Sequence, residues 1–132
     1  MKKIILCFIL ILEITIFAEK ATVNFNSGYY KGKNNLNLFL DEEFFILETF
    51  WGSGVNVKIR NLSGYLENKG KNTYYYENKN DWNDNICMVS IEIKDKNAIV
   101  KEKNCEDINF SGNYRFIRNL NSEDIEYLEF WK

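Results

Sequence analysis

Calcium chemistry is the first that the residue spacing of this chain suggests. Asp81, Asn83 and Asn85 alternate and Glu92 follows at the twelfth position, which is the ligand spacing of a calcium-binding loop between two helices. The surroundings do not support it. The sixth position is Ile86, where a glycine has to make the sharp turn, Glu92 falls inside a strand-like alternation, and neither flank has a helical repeat. Asn and Asp crowd the Asn78 to Asn85 stretch as they do in ordinary turns. Carboxylates also cluster at Asp41-Glu42-Glu43 and at Glu123-Asp124, and two carboxyl groups are what cleaves a glycosidic bond. That chemistry usually needs a long groove on a scaffold larger than this one. Histidine is absent, so the commonest general base and metal ligand is missing, and triad hydrolases and typical zinc sites go with it. The residues therefore read as a protein that is not an enzyme, with no catalytic set, no cofactor and no metal.

Aromatic side chains are the stronger signal, at 16% of the chain. In a strand, Tyr74 and Tyr76 face opposite to Tyr75, so one face is aromatic whichever side is buried. Together with Trp82, Phe50 and Trp51, the rings Tyr74 and Tyr76 make a candidate binding platform for a partner, an apolar ligand or a sugar ring. The competing reading is that these rings fill the core of a small barrel.

Two cysteines, Cys87 and Cys105, remain once the start of the chain is set aside. That start has Lys2 and Lys3, an apolar run from Ile4 to Leu12 and a small residue at Ala18, the pattern of a secretory signal over residues 1–18. The part from Glu19 onward is expected to be secreted or periplasmic. About nine apolar residues fall short of the ~20 of a membrane span, so no stable anchor is expected after cleavage; an uncleaved anchor is the other reading. Cys7 inside the apolar run, with no small residues before it, does not read as a lipid-attachment site. In an oxidising compartment Cys87 and Cys105 read as one disulfide. The full chain carries formal charge −2 and the leader +1, which leaves about −3 for residues 19–132. That balance disfavours nucleic acid, whose phosphates need a basic face, and leaves room for a basic protein partner.

These residues need elements to hold them, and alternation at period two supplies most of those elements. Cys87, Val89, Ile91 and Ile93 alternate with Met88, Ser90, Glu92 and Lys94; Asp95-Lys96-Asn97 turns the chain; Ala98 and Val100 alternate on the way back. Opposing Cys87 to Cys105 requires paired residue numbers that sum to 192, with a three-residue loop. Opposing the apolar faces, Ile93 to Ala98 and Ile91 to Val100, requires 191. A bulge between Lys101 and Asn104 reconciles the two. Further strands are expected at Ala21 to Phe25, Leu36 to Leu40, Phe44 to Trp51 and, through Val55, Val57 and Ile59, around residue 57. Gly, Asn, Asp and Lys clusters at Lys31 to Asn35, Gly52 to Gly54, Glu67 to Asn72 and Asn78 to Asn85 separate them. Only the end differs: Ser122 as an N-cap followed by Glu123 and Asp124, with Ile125 and Leu128 on one face, predicts a short helix.

A weak recurrence runs through the strands as Ser27-Gly28-Tyr29, Ser63-Gly64-Tyr65 and Ser111-Gly112-Asn113-Tyr114. Glycine next to an aromatic lets a strand bend while a ring covers its backbone. The segments at Gly28 and Gly112 are expected side by side, closing the barrel. In the last copy, Cys105 followed by Phe110-Ser111-Gly112-Asn113-Tyr114 and Arg115 resembles the ending of small exported bacterial β-domains, some of them similar to lysozyme inhibitors. Leu120 to Ile125 with Leu128 resembles the lead-in to a small extracellular helical domain named for a Tyr-Ala-Arg-His-Gly motif, a motif this chain lacks.

The fold expected is mainly β: one domain over residues 19–132, a small antiparallel barrel or sandwich in a lipocalin-like meander, with a short C-terminal helix. The function expected is an exported binding module acting on a protein partner, lysozyme-inhibitor-like by resemblance. The alternative is a carrier of a small apolar ligand. An open apolar cavity marks the carrier, and a filled barrel with exposed loops marks the inhibitor.

Overall fold

Among the described residues, alternation becomes nine strands: β1 (Gly28–Lys31), β2 (Leu36–Leu40), β3 (Phe44–Trp51), β4 (Lys58–Tyr65), β5 (Glu67–Asn68), β6 (Thr73–Lys79), β7 (Ile86–Lys94), β8 (Asn97–Lys103) and β9 (Gly112–Arg118), followed by helix α1 (Ser122–Trp131). The computed structural model describes residues 26–79, 85–105 and 109–132. The leader and the strand expected at Ala21 to Phe25 lie outside the described residues.

All nine strands form one sheet in the order β4-β3-β2-β1-β9-β8-β7-β6-β5, and every neighbouring pair is antiparallel. Neighbours in the sheet are neighbours in sequence except at β1 and β9, where the two ends of the meander meet, with Tyr30 opposite Phe116 and Lys31 opposite Arg115. β4 and β5, at the two edges, are separated only by Leu66, whose N–H donates to the Glu43 carbonyl at 2.6 Å. A single bent stretch thus pairs with β3 before the bend and with β6 after it, so the sheet curls into a nearly closed barrel.

The seam between β4 and β6 is filled by a side chain. Tyr76 packs edge-on against Phe45, centroids 5.1 Å apart, and lies so close over Gly64 that a Cβ there would strike its ring. The Phe116 ring covers Gly28 in the same way. Rings do cover two of the three recurring glycines, but they come from other strands and not from the adjacent tyrosines. Gly112 is open and sits at the far end of β9 from the residues that pair with Tyr29; the two strands are neighbours, their glycines are not.

The hairpin register is 191 from Lys94↔Asn97 through Met88↔Lys103. Asp95 and Lys96 alone make the turn, with φ of 52° and 62°, the geometry of a tight two-residue hairpin loop. The three-residue loop expected from the cysteines does not form. The extra residue is absorbed beyond the ladder at Asn104, φ 59°, and this lets Cys105 reach Cys87 with Cα atoms 4.3 Å apart in a disulfide.

Inward residues of the strands make one core that includes Tyr30, Leu38, Leu47, Val89, Val100 and Tyr114. A second, smaller cluster forms on the outer face, where Leu128 of α1 covers Phe44 and Ile46 of β3. The cap of α1 is Asn121, one residue before the serine expected. Its side chain accepts from the Asp124 N–H while Asp124 accepts from the Asn121 N–H, a reciprocal box that Ser122 could not make because Ile125 stands three residues after it. Ile125 is exposed, and Asp124, bound to Arg118 at 2.9 Å, is the residue buried beside Leu128.

Buried tyrosines make stability sensitive to alkali. Tyr30, donating to the Asn26 carbonyl at 2.6 Å, has its pKa pushed by burial, then by Tyr74, from 10.0 to about 12. Burial also raises Tyr114 and Tyr127, the latter with help from Glu48. The folded state keeps protons that the unfolded state loses, so this contribution is intact below pH 10.0 and is lost as pH rises towards about 12. Urea midpoints measured along a pH series are expected to hold up to that threshold and fall above it; a flat midpoint through the window would contradict this.

Candidate functional site

Register decides which aromatic residues reach the surface. Tyr74 pairs with Ile91 and Tyr76 with Val89, both inward positions, so both tyrosines turn into the barrel. Tyr74 is 7% exposed, and its hydroxyl accepts from Asn26 Nδ2 at 2.9 Å. The surface platform expected of Tyr74 and Tyr76 therefore does not form: the alternative, rings filling the core, describes them. Trp82 lies outside the described residues, as do Asp81 and Asn83. Glu92 sits in β7 opposite Thr73, and among the described residues no three metal-ligating side chains gather. The clustered carboxylates serve the scaffold. Lys132 Nζ bridges Asp41, Glu43 and Glu129 at 2.9 to 3.1 Å, and Asp124 caps α1.

Phe50 and Trp51 do face solvent, at 42% and 40% exposure, and they are part of a larger surface. β2 ends its pairing at Leu36↔Thr49, so β3 and β4 run on without it. Phe50 pairs with Ile59 and Trp51 with Lys58 in this two-stranded overhang. Gly52 and Gly54, both with positive φ, then bend the tip into a short 3-10 turn at Gly54–Asn56. Val55 is therefore in a turn and not in the strand its alternation suggests. It is fully exposed, and Val57 and Ile59 follow at 49% and 65%.

α1 lies on the outer face of the same strands. Counting in twos from Ile46, which packs under Leu128, Glu48 and Phe50 lie on the same outer face of β3. Glu48 accepts from the Tyr127 hydroxyl at 2.6 Å, and that hydroxyl accepts from Asn61 Nδ2 at 3.4 Å. Trp131 stands beside the same hydroxyl and packs edge-on against Phe130, centroids 5.8 Å apart. Tyr127 thus reaches a position two residue pairs along the strands from Phe50 and Ile59, while Lys132 ties the end of the helix to Asp41 and Glu43 in the β2–β3 connection. Phe50, Trp51, Val55, Val57, Ile59, Phe130 and Trp131 are all large, apolar and exposed. One signal for the overhang was available: a five-residue strand between turn clusters cannot cover an eight-residue neighbour.

No family model, curated protein or solved structure matches this chain significantly.

Proposed function

We propose that this protein is an exported, non-enzymatic binding module that holds a protein partner through the β3–β4 overhang. The observation that carries the reading is the concentration of exposed apolar side chains on a projecting hairpin, since large contiguous apolar patches mark interaction surfaces and aromatic anchors dominate their energetics. Export is supported by the leader pattern over residues 1–18 and by the Cys87–Cys105 bridge, which suits an oxidising compartment. Core side chains such as Leu38, Leu40, Val89 and Val100 have zero exposure; none borders a void that admits water, which argues against an apolar carrier. Lys58 and Arg60 alternate with Ile59 on β4 and so lie on the opposite face of the overhang from Phe50 and Ile59. The formal charge of −2 for the full chain suits a basic partner such as a lysozyme.

The test compares wild type with Phe50→Ser/Ile59→Ser in capture from the extracellular fraction and in titration against purified lysozyme. Wild type should retain a stoichiometric partner, and the double variant should weaken it by ~2 kcal/mol or more while melting normally. Intact mass of the exported protein should correspond to a chain starting at Glu19. Equal capture by a folded double variant would move the interface elsewhere.

A further inference from the structure

The opposite end of the barrel holds a different kind of surface. The meander places the β3–β4 loop at one end and the β2–β3, β5–β6 and β7–β8 connections at the other. At that other end lies an open cleft of about 520 Å³, within the usual size of small-molecule sites. Its rim is polar: Asn26, Asn72, Asp95, Lys96 and Asn119. Its floor is formed by Ile93 and Phe116, with the buried Tyr30 ring behind Phe116, edge to face at 5.4 Å.

From this lining we infer a binding site for a neutral saccharide of one or two pyranose rings. A carboxamide both donates and accepts hydrogen bonds, as a sugar hydroxyl does, and three of the five rim residues are carboxamides. Asp95 and Lys96 are adjacent and opposite in charge, so the site asks for no net charge in its ligand. The Phe116 ring in the floor suits the C–H face of a pyranose. The rim is also set in advance of binding. Asn26 Nδ2 donates to Asn72 Oδ1 and to the Tyr74 hydroxyl, both at 2.9 Å, which leaves the side-chain Oδ1 of Asn26 and the Nδ2 of Asn72 for a ligand. Asn72, Asp95 and Lys96 sit at left-handed positions of two short turns, φ 61°, 52° and 62°, a rigid footing that lowers the ordering cost of binding. Among the described residues no protein hydrogen bond occupies the side chains of Asp95, Lys96 or Asn119.

The experiment is a titration of the full exported chain with cellobiose and with N,N′-diacetylchitobiose, followed by amide NMR shifts and by saturation transfer from aromatic protons. A dissociation constant of about 1 mM or tighter is expected for at least one sugar, with shifts at the rim amides and no dependence on salt. Asn119→Ala and Asp95→Gly remove no protein hydrogen bond of these side chains, and glycine accepts the left-handed backbone at position 95, φ 52°. Each should therefore melt like wild type and bind at least fivefold more weakly, while Phe50→Ser/Ile59→Ser binds sugar unchanged. Absence of rim shifts at roughly twenty times that concentration, shifts confined to the hairpin end, or full binding by both rim variants would overturn the site.

Discussion

Phe110→Ala is expected to destabilise the protein by about 3–5 kcal/mol, the loss typical of a fully buried aromatic ring replaced by a methyl group. Phe110 has zero exposure although it belongs to no strand, because it enters the barrel core at the end where β9 begins. Its backbone is held from both sides. The carbonyl accepts the Tyr114 hydroxyl at 2.7 Å, and the N–H donates to Glu102 Oε1 at 3.3 Å. Such fixed surroundings relax poorly into a cavity. The melting midpoint should fall by about 10–20 °C for a chain of this size, with Phe110→Leu losing much less. A loss under about 1 kcal/mol for the alanine variant would show that the ring does not plug the barrel.

Replacing both bridge cysteines, Cys87→Ala/Cys105→Ala, is expected to remove ~3 kcal/mol on the chain-entropy account of a loop this long. The sequence separation of the bridge is 18, and the loop contains the β7–β8 hairpin, whose ladder ends at Met88↔Lys103. The bridge therefore ties down the chain one step past the last ladder pair, where Asn104 departs from the strand. Equilibrium urea denaturation with and without reductant measures the loss on one sample. Equal midpoints, or a midpoint lowered only in the alanine variant, would mean that the bridge does not constrain the unfolded chain and that packing of Cys87 accounts for the effect.

Much of the β7–β8 hairpin is legible without coordinates. Two alternating apolar runs and an Asp-Lys turn set its pairing, and the one-residue conflict with the cysteines located the irregularity to within a few residues. β3 is legible for a similar reason, as an apolar run bounded by turn residues. The helix start is legible to within one residue, and the error arose because Ser122 and Asn121 are both good caps until the residue three positions on is considered.

The candidate site was legible only in part. The ring content of the sequence marks Phe50 and Trp51 but marks Tyr74 and Tyr76 equally, and period-two alternation cannot say which of two aromatic faces turns inward. Val55, Val57 and Ile59 carried the same alternation as a half-buried strand, and their exposure depends on β2 stopping at Leu36, a property of the neighbouring strand. Local pattern by itself determined the mainly β class, the extents of β2 and β3, the place of the β7–β8 turn and the capped helix, because each depends on residues close in sequence. Tertiary structure alone decided the β1–β9 pairing, the rings seated over Gly28 and Gly64, the overhang and its apolar surface, and the polar cleft, because each depends on contacts between residues tens of positions apart, where closing the loop costs entropy and only burial of the shared core repays it.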